Sequence, residues 1–269
     1  MERKKVFVTG AGMGVGYGIA LEFAKAGYDV AIHHSPSSRE SAKELCERME
    51  SYGAKTLMME GDLTDTSVMK TMFERIEKEF GYLNVYVNNA GITRGGQVIS
   101  IKEEEFDRVL NVNLKAFYFG MKYAARMMVR HGIEGDILTI LSNTMLFKIG
   151  GLSLYTCGKM AMSKMVEVAS VELAPYGIRV NGIAPGYVDT GAERMGPKEP
   201  TYDSIPMRRW VTPEEMGQTA LFLVGPWTRS IDGHVLVIDG GASLAQMTRG
   251  DVARERAFKA LDEAVNGAK

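Results

Sequence analysis

Short apolar runs alternate along this chain with longer stretches of helical period. Val6-Phe-Val-Thr9 breaks into a glycine cluster, and a helical pattern then runs from Ile19 to Ala26, where Gly27 stops it. Asp29–His33, Lys55–Met59, Asn84–Val87, Asp136–Leu141, Ile178–Ile183 and His234–Ile238 are the later strand-like runs. Helical patterns fill the intervals, including Ser37–Tyr52, a segment that ends near Phe80, Lys102–Arg130 and a helix that ends near Leu173. Seven strands alternating with helices predict one α/β domain with a parallel, doubly wound sheet.

Local signals sharpen the boundaries. Ser37 and Glu40 have capping-box spacing, and Thr64 or Asp65 is placed to cap the third helix. Thr212-Pro213-Glu214-Glu215 opens a helix with proline at its first position. Asn113 lies inside the 102–130 pattern, where a fair helix former at best predicts a kink or a polar role. The stretch 191–209 mixes glycine, proline, charge and apolar side chains without period, which is the composition of a lid. Beyond Leu244 a charged, helix-prone tail follows. The expected organisation is therefore a domain over 1–244 with a lid at about 190–210, and a helical extension over 245–269.

Composition removes several classes. A formal charge of −1 over 269 residues offers no electrostatic footing for nucleic acid or an anionic membrane. Two cysteines, Cys46 and Cys157, make neither a disulfide framework nor a metal cluster. His33 and His34 have no further His or Cys cluster to complete a metal site. No secretory leader and no apolar run of membrane length is evident, so a soluble cytoplasmic protein is expected.

Candidate chemistry begins at the glycines. The fingerprint Gly-x-Gly-x-x-Gly fails in every register between Gly10 and Gly18, whereas Thr9-Gly10-x-x-x-Gly14-x-Gly16 fits. A strand, a glycine turn and a helix N-terminus form a pyrophosphate cradle, because free N–H groups and the positive dipole end meet the anion. The second strand ends in His33-His34-Ser35-Pro36-Ser37-Ser38-Arg39, with no carboxylate for a ribose 2′-hydroxyl. Hydroxyls and an arginine suit a 2′-phosphate, so NADP(H) is favoured over NAD(H). Asn88-Asn89-Ala90-Gly91, after the fourth strand, stabilises a turn or bridges neighbouring strands beside a cofactor.

Two Tyr-x-x-x-Lys pairs occur, Tyr118–Lys122 and Tyr155–Lys159. Chance supplies about 0.65 such pairs in a chain of this composition, so spacing alone selects neither. A phenol held one helical turn from an ammonium is expected to have its pKa lowered and to serve as an acid/base for an alcohol or ketone.

These signatures, in this order, resemble the short-chain dehydrogenase/reductase family in its standard-length branch. The match spans roughly residues 4–244: Thr9 to Gly16, Asn88 to Gly91, Asn113, Ser142 with Tyr155 and Lys159, and Pro185-Gly186. The resemblance implies a Rossmann-like fold and a homotetramer. It also separates the two pairs, since the family's serine precedes its tyrosine by 13 residues; Ser142 does so for Tyr155, and Tyr118 has Glu105 there. By the same resemblance Tyr155 moves the hydroxyl proton and Ser142 binds the substrate oxygen. Lys159 holds the nicotinamide ribose and acidifies Tyr155, and Asn113 anchors a water of the proton relay. Gly10, Gly12, Met13, Gly14, Val15 and Gly16 would cradle the pyrophosphate, and His34, Ser35 and Arg39 the 2′-phosphate. Asp62, Leu63, Asn89, Ala90 and Gly91 would face adenosine, and Pro185, Gly186, Val188 and Thr190 the nicotinamide. Family members often carry serine or a basic residue where this chain has Gly12 and Met13, so the NADP reading rests on the end of the second strand.

The resemblance points to a small ketone or secondary alcohol as substrate, in the manner of 3-oxoacyl-carrier-protein reductases, glucose dehydrogenases and bacterial hydroxysteroid dehydrogenases. Met195, Tyr202, Ile205, Met207 and Trp210 in the lid segment favour an apolar or amphipathic one over a sugar. The alternatives are an NAD(H)-dependent alcohol, sugar or hydroxysteroid dehydrogenase and a non-catalytic dinucleotide sensor.

Overall fold

Strand β1 (Lys5–Val8) is completely enclosed, and its side chains divide by the period of two that a strand imposes. Phe7 enters one apolar layer, while Val6 and Val8 enter the other. Everything else is wound around this strand. The computed structural model describes residues 3–190 and 204–247. After β1 come α1 (Gly14–Lys25), β2 (Asp29–His34), α2 (Arg39–Ser51), β3 (Thr56–Glu60), α3 (Thr66–Phe80) and β4 (Val85–Asn88). The second half holds α4 (Glu103–Leu110), α5 (Ala116–Arg130), β5 (Asp136–Ile140), α6 (Ser153–Leu173), β6 (Arg179–Pro185), α7 (Pro213–Val224), β7 (Val235–Ile238) and α8 (Ala242–Met247).

All seven strands pair in parallel, in the order β3-β2-β1-β4-β5-β6-β7. The expected doubly wound, Rossmann-like sheet is therefore present. Its order reverses between β1 and β4, the switch point at which open α/β sheets leave a crevice beyond the strand ends. Below the sheet, Phe7 packs edge-on against Phe73 at 5.4 Å and tilts against Tyr86 at 5.7 Å. Burying a side chain of that size contributes about 2–3 kcal/mol. Among the described residues no helix is long and apolar enough to cross a membrane.

Three local expectations need correction. Helix α1 begins at Gly14, five residues before the apolar pattern, so Gly16 and Gly18 are helical and Gly14 opens the helix at φ +59°. Packing explains this: a Cβ on Gly18 would stand 2.2 Å from the Pro213 carbonyl oxygen of α7, and one on Gly16 2.4 Å from Asn89 Nδ2. The Ser37–Glu40 capping box does not form. A 3₁₀ turn over Pro36–Ser38 precedes α2, and Ser38 at the N-cap makes no side-chain bond to cap it. The 102–130 pattern is not one continuous helix: Asn111–Lys115 forms a π turn between α4 and α5, at the place where Asn113 predicted a kink or a polar role. Asp65 does cap α3, accepting from Ser67 N, and Thr212 with Glu215 forms the capping box of α7. Met195 and Tyr202 of the lid segment, and the tail from residue 248, lie outside the described residues.

Candidate active site

The crevice is assembled by polar groups that fasten the ends of β1 and β4 together. Thr9 Oγ1 accepts from Asn89 N and Ala90 N at 3.0 and 3.1 Å. Asn89 Nδ2 returns to the carbonyls of Thr9 and Gly10 at 2.8 and 3.1 Å, which makes it a bridge between strands. Gly10 turns away at φ +63°, and a Cβ there would lie 2.9 Å from Ala90 Cα. Only glycine fits this approach. No side chain caps α1 at Met13, so the first-turn N–H groups keep their capacity for an anion.

His33 sets the floor of the adjoining part. Its Nδ1 accepts from Gly10 N at 3.0 Å, which leaves Nε2 as the protonated nitrogen, donating to Gly61 O at 3.1 Å. Burial pulls its pKa down to about 4, so the ring is neutral at pH 7. Asp62 accepts from Thr64 N at 2.9 Å, and that bond holds its carboxyl below the usual range. Gly10, Met13, Val15, Ser35, Asp62, Leu63 and Asn89–Gly91 line the resulting cavity of about 840 Å³.

A second cavity of about 310 Å³ continues from it, sharing Asn89, Gly91 and Thr93. Ser142, Tyr155 and Lys159 line it together with Pro185, Gly186, Val188 and Thr190. Ser142 follows β5, and its oxygen accepts from Thr144 N and Thr144 Oγ1 at 3.3 and 3.1 Å. Both acceptor positions are thus occupied, and its O–H remains to donate. The side chains of Ser142 and Thr93 lie close enough to the Tyr155 hydroxyl to lower its pKa. Lys159 is buried, and its Nζ donates to Ile140 O at 2.6 Å.

The electrostatics correct one expectation. Burial raises the pKa of Tyr155, against the partial lowering by Ser142 and then Thr93. The ammonium expected to acidify it is itself desolvated: burial alone brings Lys159 down to about 8. Its Nζ lies 5.7 Å from the Tyr155 ring centroid, with a neutral carbonyl as its hydrogen-bond partner.

The remaining predicted residues stand just behind the cavity walls. Gly12 backs onto Ser38, where a Cβ would meet Oγ at 2.3 Å, and Gly14 onto Thr190 at 3.0 Å. Asn113 is wholly buried and clamps Ile92, accepting from its N at 2.8 Å and donating to its O at 2.9 Å. Gly91 sits between Asn113 and Lys159, with a notional Cβ 3.2 Å from Asn113 Oδ1 and 3.7 Å from Lys159 Nζ. Two residues of the 2′-phosphate reading are turned elsewhere. His34 is buried with Nδ1 on Ser35 O at 3.0 Å, and the Arg39 fork is taken by Glu60 at 2.7 and 2.8 Å. Thr93, His33, Ser38 and Glu60 line the cleft without having been assigned to it from sequence. Thr93, two residues beyond Gly91, is the one that stands next to a motif the sequence offered.

A glycine cradle at the switch point, two continuous cavities and an uncapped helix N-terminus fit a dinucleotide. Comparison with known proteins agrees. A family model described as Enoyl-(Acyl carrier protein) reductase matches residues 10–243. The 2-dehydro-3-deoxy-D-gluconate 5-dehydrogenase of Dickeya dadantii is 32% identical over 249 residues, covering 90% of this chain and 96% of that protein. The chain belongs to the short-chain dehydrogenase/reductase family. A 3-oxoacyl-(acyl-carrier-protein) reductase of Staphylococcus aureus, also a member, is 32% identical over 88% of this chain and 97% of its own. Among solved members, a short-chain dehydrogenase from Burkholderia cenocepacia in complex with NADP is 31% identical, covers 89% of this chain and 97% of that one, and superposes with a TM-score of 0.81. Acetoin dehydrogenase from Salmonella typhimurium reaches 0.86 at 25% identity, over 93% and 99% of the two chains. As a family member the chain is an oxidoreductase of the CH–OH/C=O type.

Proposed function

We propose that this enzyme interconverts an apolar ketone and its secondary alcohol with a preference for NADP(H), Tyr155 serving as the acid/base. The observation that carries the reading is the convergence of Ser142, Tyr155 and Lys159 on one small cavity continuous with the dinucleotide cleft. A bound nicotinamide would supply the hydride for the carbonyl carbon, or accept it from the alcohol carbon in the reverse direction. Tyr155 delivers the proton to the substrate oxygen, or removes it. Ser142, its acceptor sites filled by Thr144, donates to the same oxygen and stabilises its developing charge. Lys159 would hold the ribose hydroxyls of a nicotinamide half, and Asn113 holds the Ile92 segment that carries Gly91 and Thr93.

Phe147, Ile149, Leu152 and Tyr187 supply the substrate wall and favour an apolar group beside the carbonyl. Tyr187 stacks on Trp210 at 5.6 Å, which joins the 204–210 segment to that wall. We take the domain to be residues 1–244, with the lid and the 245–269 extension as its additions, working as a cytoplasmic homotetramer. Ile99, Val171 and Trp227, exposed by 92, 76 and 89%, support an assembly that covers them, and mass measurement in solution tests it. The activity is tested by titrating NADPH and NADH and then following nicotinamide absorbance across ketones and alcohols. Turnover of an apolar ketone with NADPH is expected. Dinucleotide binding with no turnover of any carbonyl or alcohol overturns the reading in favour of a sensor.

A further inference from the structure

No carboxylate ends β2, yet one stands beside that end. Parallel pairing sets His34 opposite Glu60, and Glu60 lines the same cavity as Ser35, Ser38 and Asp62. Both oxygens of Glu60 are engaged by Arg39, from Nε at 2.8 Å and Nη2 at 2.7 Å. The Arg39 hydrogen bond holds the Glu60 carboxyl below its ordinary range, so it is ionised at neutral pH. His34 Nδ1 lies 3.8 Å from Glu60 and 3.0 Å from Ser35 O, so Arg39 is the residue bonded to the carboxylate. Beside the pair, the Ser35 hydroxyl lies 3.0 Å from that of Ser37 and 3.2 Å from that of Ser38.

These groups pull in opposite directions. Hydroxyls and a guanidinium fork suit a 2′-phosphate, which carries close to two negative charges near neutrality. A carboxylate in the same place repels that phosphate and competes for the same donors. It also offers the acceptor that a ribose 2′-hydroxyl requires. We propose that Glu60 is a cofactor-selectivity residue: by holding Arg39 and presenting a carboxylate at the adenosine end, it restrains the preference for NADP(H) and lets NAD(H) compete. The proposal rests on the reading that the adenosine ribose lies at the end of β2. Side-chain exposures of 60% for Arg39 and 29% for Glu60 allow the arginine to exchange partners without disturbing the core. Ion pairs this exposed are weak enough to exchange.

The experiment measures dissociation constants of NADPH, NADH and 2′,5′-ADP for the full chain, for Glu60→Gln and for Arg39→Ala. Glu60→Gln is expected to raise the NADPH-over-NADH affinity ratio about tenfold, the usual worth of one charge-assisted hydrogen bond to a phosphate. The increase should fall on NADPH and 2′,5′-ADP and should be smaller when Glu60→Gln is made in the Arg39→Ala background, where only the repulsion is relieved. Arg39→Ala alone should lower the ratio. A ratio unchanged or reduced in Glu60→Gln overturns the proposal. The wild-type ratio tests the proposed NADP(H) preference separately: tighter NADH there refutes that preference, while the change on Glu60→Gln still reports on Glu60.

Discussion

Tyr118 and Lys122 on α5 have the same spacing as Tyr155 and Lys159 on α6, and the two pairs live in opposite surroundings. Tyr118 is 48% exposed and meets Phe119 edge-on at 5.7 Å. Lys122 Nζ stands 5.3 Å from the Phe119 ring, on the outer side of α5. On α6 the lysine is buried against the Ile140 carbonyl, and the tyrosine meets Ser142 and Thr93 at the mouth of the cleft. Four residues of separation guarantee a shared helix face and nothing more. What makes the second pair chemical is where that face points: α6 opens over the ends of β4 and β5, which deliver Gly91 and Ser142 to the same cavity.

The contrast can be broken most directly at Tyr155. Tyr155→Phe should lower kcat by about 10²–10⁴-fold, the usual worth of a positioned proton donor, with dinucleotide affinity nearly unchanged. Steady-state kinetics and a binding titration check both halves, and near-normal turnover would remove Tyr155 from the mechanism.

Lys159→Met sharpens the comparison through pH. A lysine titrates at 10.5 ordinarily and at about 8 in this fold, because burial disfavours its charged form. Below pH 8 the folded and unfolded chains both hold the proton, and the burial penalty is present in full. Between pH 8 and 10.5 the unfolded chain alone keeps the proton, so stability rises with pH. Wild type should therefore gain on the order of 3 kcal/mol on Lys159→Met across that window. Denaturant unfolding at both ends measures the difference, in which the titrations common to the two proteins cancel. A constant difference would mean that Lys159 is not desolvated.

The smallest effect belongs to the other pair. Tyr118→Phe should leave kcat/KM within about twofold of wild type, as surface substitutions usually do. A collapse there would reverse the assignment of the two tyrosines.

Most of the fold was legible because alternation of apolar runs is a local property. Seven strands and their parallel arrangement follow from it. The errors fall where a distant neighbour decides. Glycines at 16 and 18 read locally as a turn, but Asn89 and Pro213 approach so closely that only glycines let the helix run through. The 102–130 pattern reads as one helix, but Asn113 is drawn to Ile92, and the backbone accommodates it with a π turn. The site divides the same way. Ser142, Tyr155 and Lys159 were legible through an ordered set of motifs. Glu60 and His33 were not, because one acts through strand register and the other through a tautomer set by Gly10 and Gly61.

Sequence alone determined the alternation of elements, the glycine turn and the candidates for proton chemistry, since each depends on residues close together in the chain. Only the tertiary structure decided that Arg39 is held by Glu60, and that burial rather than the neighbouring ammonium governs Tyr155. Those outcomes depend on distances between strands and on how much water is excluded. Neither quantity is a property of any short stretch of the chain.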